Sequence, residues 1–276
     1  MKKEMIKFKK AIYVLMLLIS TIVMTLSVSS CSKWIEKLIE DETKREEIPG
    51  LGNAAGNLTG TPFKLPEGIE LTEEITGAGY QNHYWITYAP SERLFVNKDG
   101  TVEKQMFPVR TRAGEDIENH HYGSGYGYVD LLISLRNTRT NPVEVTIPAA
   151  SIFVSKAGDC QNGVLIKKVT FTIPANSVYL LCLSLYCGNS SKSAAGYSDQ
   201  YVFSVVSNAK PLLDLCDRVK NKKINIEEFS KSSSSDREKY TTQVDVLQDI
   251  VWHITDYTGK LSNDDISYIN SLPNSN

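Results

Sequence analysis

Histidine is scarce in this chain, with four residues, His83, His120, His121 and His253, in 276. Hydrolases that use an activated serine or cysteine need a base beside the nucleophile, and so few imidazoles leave few candidates. The sequence has no Gly-x-Ser-x-Gly, no His-Glu-x-x-His and no paired-cysteine zinc pattern. Those absences remove the nucleophile elbow and the common zinc sites. Carboxylate pairs of the glycosidase kind come from distant strands and leave no local spacing, so an envelope enzyme of unrecognised class stays open as an alternative. The glycines of Tyr122-Gly123-Ser124-Gly125-Tyr126-Gly127-Tyr128 do not follow a strand and open a helix, so no phosphate loop and no cofactor is implied. Basic clusters are also missing beyond residue 30: removing residues 1–30 leaves 25 Lys and Arg against 31 Asp and Glu. An acidic chain of this kind has no electrostatic footprint for nucleic acid.

The N-terminus carries Lys2, Lys3, Lys7, Lys9 and Lys10 before an apolar run of 16 residues, Ala11 to Leu26, and a small-residue stretch ending at Cys31. The run is short for a membrane helix and has the layout of a signal peptide. Val28-Ser29-Ser30-Cys31 resembles the lipobox of bacterial lipoproteins, in the looser form seen in Bacteroidota. That resemblance implies cleavage before Cys31 and lipidation of its thiol. Acyl chains would then hold the protein on a membrane of the cell envelope, the outer membrane, facing the periplasm or the exterior. Residues 1–30 are read as signal peptide. Residues 31–62, with Gly and Asn dense between Ile48 and Pro62, are read as a lipidated N-terminus and flexible tether.

Residues 63–208 are read as the folded β domain. Leu94 to Phe107, with Asn97-Lys98-Asp99-Gly100 between two strand-like runs, predicts a hairpin. Tyr80 to Tyr88 is an aromatic strand, and Arg110 to Tyr128 a long polar loop. Glu115, Asp116, Glu118, His120 and His121 lie in that loop without an established ligand spacing, so no metal is assigned. Together, Tyr80 to Tyr88 and His120 to Tyr128 are the candidate surface for an unknown protein or glycan ligand. Val129, Leu131, Ile133 and Leu135 alternate with other residues at the strand period. Further runs follow at Val143 to Ile147, Val164 to Ile173 and Val178 to Leu185. The phrase Thr146-Ile147-Pro148-Ala149-Ala150-Ser151 returns as Thr172-Ile173-Pro174-Ala175-Asn176-Ser177 and predicts two equivalent bends where the chain changes sheet. Short strands with frequent turns indicate an antiparallel, immunoglobulin-like β-sandwich.

Residues 209–276 are read as a helical segment packed on the sandwich. Leu212, Leu215, Cys216 and Val219 form one helical stripe, and Tyr240, Val244, Leu247, Val251 and Ile254 another, opened by a capping box at Ser235 to Glu238. A third short helix starts near Ser262. Cys160, Cys182, Cys187 and Cys216 are an even set in an exported chain and are candidates for disulfides with no pairing preferred. Cys182 and Cys187, five apart on one strand, point to opposite faces.

Tyr186-Cys187-Gly188-Asn189, a leucine-rich helix at Leu212 to Val219, and Leu247-Gln248-Asp249-Ile250-Val251-Trp252-His253-Ile254-Thr255-Asp256 resemble bacterial thioester-type adhesin domains. The resemblance implies Cys187 and Gln248 as the partners of an internal thioester. Leu247 departs from the threonine usual in that family, and the segment between the motifs is shorter. Gln248 shares the apolar face of its helix, so it should be buried, either bonded to a strand's backbone or lying against Cys187. The overall expectation is a non-catalytic binding or adhesion lipoprotein, with a covalent thioester adhesin as alternative.

Overall fold

The computed structural model describes residues 46–78, 92–96, 102–106, 120–125, 128–230 and 233–275. The predicted signal peptide, Cys31, the strand from Tyr80 to Tyr88, and Glu115, Asp116 and Glu118 lie outside the described residues. The strands are β1 (Gly60–Pro62), β2 (Ile69–Leu71), β3 (Ile75–Gly77), β4 (Glu92–Val96), β5 (Val102–Met106), β6 (His121–Gly123) and β7 (Val129–Asn137). They continue as β8 (Val143–Ile147), β9 (Ser151–Ser155), β10 (Gly163–Leu165), β11 (Val169–Ile173), β12 (Val178–Cys187) and β13 (Gln200–Ser207). The helices are α1 (Lys210–Val219), α2 (Ser234–Trp252) and α3 (Asn263–Ser271). Among the described residues no helix is long and apolar enough to cross a membrane.

The chain is mainly β with helices at its C-terminus, as expected, but the sandwich is not what forms. In the order β7, β3, β13, β9, β10, β12 and back to β7, six strands close into an antiparallel barrel. Closure comes from β12, which pairs with β7 from Val178 to Leu185 along one side and reaches β10 on the other through Tyr186 and Cys187. A sandwich would leave those edges free. Inside the barrel, Val129, Leu131, Ile133 and Leu135 of β7 meet Leu181, Leu183 and Leu185 of β12, the alternation of the sequence turned inward. The outer face of β7 is covered as well, since Asp130, Leu132 and Ser134 are also buried.

The loop predicted up to Tyr128 contains β6, which adds in parallel to β12. Val164 to Ile173 is two strands, divided at Ile166-Lys167-Lys168, with β10 in the barrel and β11 paired to β8 in a separate two-stranded sheet. The hairpin of β4 and β5 forms, pairing Val96 with Val102.

The repeated phrase makes two turns of one kind. Ala150 and Asn176 take positive φ of 63° and 50°. Ser151 Oγ donates to Pro148 O at 2.7 Å, and Ser177 Oγ to Pro174 O at the same distance. Each proline ends a strand of the two-stranded sheet, and the following strand belongs to the barrel. The change of sheet expected from the repetition is therefore present.

A second core lies between the barrel wall and the helices. Ile152, Val164, Ile166 and Tyr186 present outward from β9 to β12 and meet Leu212, Leu215, Cys216 and Val219 of α1 and Tyr240, Val244, Leu247 and Val251 of α2. The cap of α2 is Ser233, whose side chain accepts from the Asp236 N–H, two residues before the predicted box. The helix runs into a π-helical turn, His253–Tyr257. Ile48 and Leu51 belong to this same core. The part of the predicted tether from Ile48 to Leu51 is therefore packed and not flexible: the compact unit begins at Glu46, and Leu51 is 0% exposed.

Candidate site at Cys187 and Gln248

β12 ends on Cys187, whose thiol faces the barrel core, while its backbone turns toward α2. The helical period puts Val244, Leu247, Gln248 and Val251 on one buried face, so an amide enters an otherwise apolar stripe. A buried amide needs partners for both of its ends. Gln248 finds them on one residue. Its Oε1 accepts from the Cys187 N–H at 2.8 Å, and its Nε2 donates to Cys187 O at 3.0 Å. The two motifs, 61 residues apart, meet in a two-point clamp.

The thiol itself is bracketed by donors. Trp252 Nε1–H and the Asn189 N–H each approach Cys187 Sγ at 3.4 Å. Burial pushes the Cys187 thiol up to about 11, and the bonds from Trp252 and Asn189 oppose that rise while the nearby Asp256 carboxylate adds to it. Burial wins, so the resting sulfur keeps its proton at neutral pH. Trp252 is also edge-on to Tyr128, 5.8 Å between ring centres.

The π-helical turn after Trp252 positions the loop that follows Cys187. Asp256 Oδ1 accepts from both Ser190 N–H at 3.0 Å and Ser190 Oγ at 2.8 Å. Asn189 Oδ1 accepts from Asn162 N–H at 3.1 Å. One extra residue per turn brings Asp256 and Trp252 to neighbouring points of the loop; such turns recur at functional sites. Asn189 and Asp256 went unnoticed as site residues in the sequence. Both stand inside the two quoted motifs, and nothing in the sequence assigned either a role.

No protein-family model, curated protein or solved structure matches this chain.

The remaining sequence candidates are dispersed. Cys160, Cys182, Cys187 and Cys216 are buried thiols, and no disulfide joins them. Cys182 and Cys187 do face opposite sides of β12, Cys182 packing outside the barrel with Ala78 and Leu132. Cys216 is fixed in the helical core, and Cys160 Sγ donates to Asp199 Oδ2 at 3.0 Å. Of the proposed recognition surface, His120 and His121 are buried and Tyr122 is half-buried against Phe171. His120 to Tyr122 therefore pack beside β12, while Tyr80 to Tyr88, Tyr126 and Gly127 of the proposed surface lie outside the described residues. His120 Nδ1 turns to Leu180 O and His121 Nε2 to Ser184 Oγ, so the two rings do not converge. Among the described residues no group of histidine, cysteine and carboxylate side chains is placed to hold a metal.

His121, Ser184 and Asp130 form a chain, but its order is wrong for a hydrolase. Ser184 Oγ donates to Asp130 Oδ1 at 2.6 Å, so the 2.7 Å contact with His121 Nε2 leaves the imidazole donating to the serine. The imidazole cannot then act as the serine's base. Burial raises Asp130 to about 6 against the lowering effect of Ser184.

Proposed function

We propose that this chain is a cell-envelope lipoprotein that binds its target covalently through an internal thioester between Cys187 and Gln248. The observation that carries the reading is the clamp of the Gln248 amide on the Cys187 backbone, with two further donors on Sγ. In forming the thioester, Cys187 Sγ attacks Cδ of Gln248. The S–C bond forms, the C–N bond breaks, and the amide nitrogen leaves as ammonia with the thiol proton. The Cys187 N–H already touches the oxygen that gains charge during this step, which is how preorganised donors lower such barriers. Trp252 and Asn189 favour the thiolate against the effect of burial. A primary amine on a partner then attacks Cδ, forms an amide and returns the proton to Cys187 Sγ. The partner so captured is a protein or glycan bearing a free amine, and Cys31 would carry the lipid.

The test is the intact mass of the mature chain. The expected value is one ammonia below the mass calculated for the unmodified pair, increased by one methylamine on treatment, with neither change in Cys187→Ala or Gln248→Ala. A full sequence mass with no methylamine uptake would exclude the thioester.

One observation favours the second reading, a non-covalent binding or adhesion module. The Gln248 amide has both ends satisfied by backbone, as a purely structural clamp requires. Under that reading the amide joins α2 to β12 and Cys187 stays a thiol.

A further inference from the structure

The segment just before the barrel is tied to the loop that follows Cys187. Gly52 N–H donates to Gly188 O at 2.7 Å, and Asn189 Nδ2 donates back to Gly52 O at 2.9 Å. Ser191 Oγ donates to Asn53 Oδ1 at 3.0 Å, and Asn162 Nδ2 to Gly50 O at 3.3 Å. The same Asn189 whose N–H rests on Cys187 Sγ thus holds this segment with its side chain. Gly52 lies so close to the π-helical turn that a Cβ there would stand 2.0 Å from Thr255 O, and its φ is +59°. Leu51 covers Gly188, where a Cβ would meet Leu51 Cδ2 at 3.0 Å.

We infer that residues 46–54 are a strap that gates Cys187. Closed, the strap fixes the Gly188–Ser191 loop over the sulfur and keeps amines and other reagents away from Cys187 and Gln248. Lifted, it releases that loop while the barrel and α2 stay folded. Two features make the strap separable. It belongs to no strand or helix, and Gly50, Gly52 and Asn53 make polar contacts with the Gly188–Ser191 loop and Asn162 instead of with a sheet. It is also the first stretch of the compact unit, so a pull on the chain ahead of Glu46 acts on it before anything else.

This gate rests on the reading of Cys187 and Gln248 as the reactive pair, but its test does not require that the thioester form. In the full chain, hydrogen exchange follows the Gly52 amide beside those of β12. Peptide mass mapping follows modification of Cys187 by iodoacetamide, or of Gln248 by methylamine if the intact mass shows the thioester. Cys182, packed in the separate cluster with Ala78 and Leu132, reports global unfolding in the same sample. The expected result is that Gly52 exchanges through an opening that leaves β12 protected. Gly52→Ala and Leu51→Ala should then speed modification of Cys187 by on the order of tenfold or more with Cys182 unchanged. If Gly52 exchanges only together with β12, or Cys187 and Cys182 become reactive in step, the strap is an inseparable part of the core and the gate is wrong. A failed gate would leave the ammonia loss untouched, and a full sequence mass would leave the exchange result standing.

Discussion

The Gln248 side chain is the residue on which two parts of the fold depend. Replacing it with alanine leaves the Cys187 N–H and C=O buried without partners, and each orphaned group costs about 1–3 kcal/mol. Gln248→Ala is therefore expected to lower unfolding free energy in urea by roughly 2–4 kcal/mol. Gln248→Glu should also destabilise, because a carboxylate presents no donor to Cys187 O and is itself costly to bury. A second prediction follows from the high pKa of the thiol, about 11. In the thiol form, Cys187 alkylation should climb about tenfold per pH unit with no plateau before that value. A plateau near pH 8 would mean that Trp252 and Asn189 outweigh burial. The pair was legible in the sequence because each partner sits in a short recognisable phrase, and because a glutamine on an apolar helical face must bury its amide. Asn189 and Asp256 were not, since their roles depend on a loop and a π-helical turn whose shapes no periodicity encodes.

At the level of elements, the two Ile-Pro-Ala turns offer the cleanest test. Asn176 is exposed with φ of 50°, a conformation asparagine tolerates and β-branched residues do not. Asn176→Val should cost about 1–3 kcal/mol, while Asn176→Gly should be neutral or slightly stabilising, read from thermal melts. The turns were readable because a proline stops a ladder and a serine three residues later caps its carbonyl. The helices were readable from their stripes, although the start of α2 moved to Ser233, where a run of serines offers several equivalent caps. The barrel was not readable. Alternation in Val129 to Leu135 fixes which residues face a core, yet it is the same for a sheet that closes and one that does not. Closure depends on β12 using both edges, and that is decided by how far Tyr186 and Cys187 reach toward β10.

Across the whole molecule, one buried carboxyl sets an acid preference. Burial raises Asp130 from 3.8 to about 6 against the hydrogen bond from Ser184 that lowers it. The folded state therefore holds a proton that the unfolded chain has released. Its contribution is complete below the unfolded value and is lost as pH rises from about 4 to about 6. Asp130→Asn should flatten that decline and raise stability at pH 7 by on the order of 2 kcal/mol in denaturant titrations. A parallel pH profile for variant and parent would count against it. The change from strands to helices was legible at the C-terminal side, where stripes replace alternation. At the other end the Gly and Asn content between Ile48 and Pro62 disguised two core residues, Ile48 and Leu51, as linker. That disguised segment also has a consequence in time. Cys187 is bracketed by residues 50–53 from the start of the unit and by Gln248, Trp252 and Asp256 from near its end. A ribosome delivers these in sequence, so the surroundings of the sulfur cannot assemble until almost the last helix has emerged. A chain still in synthesis therefore lacks the Gln248 clamp on Cys187, and a product truncated before Gln248 never gains it.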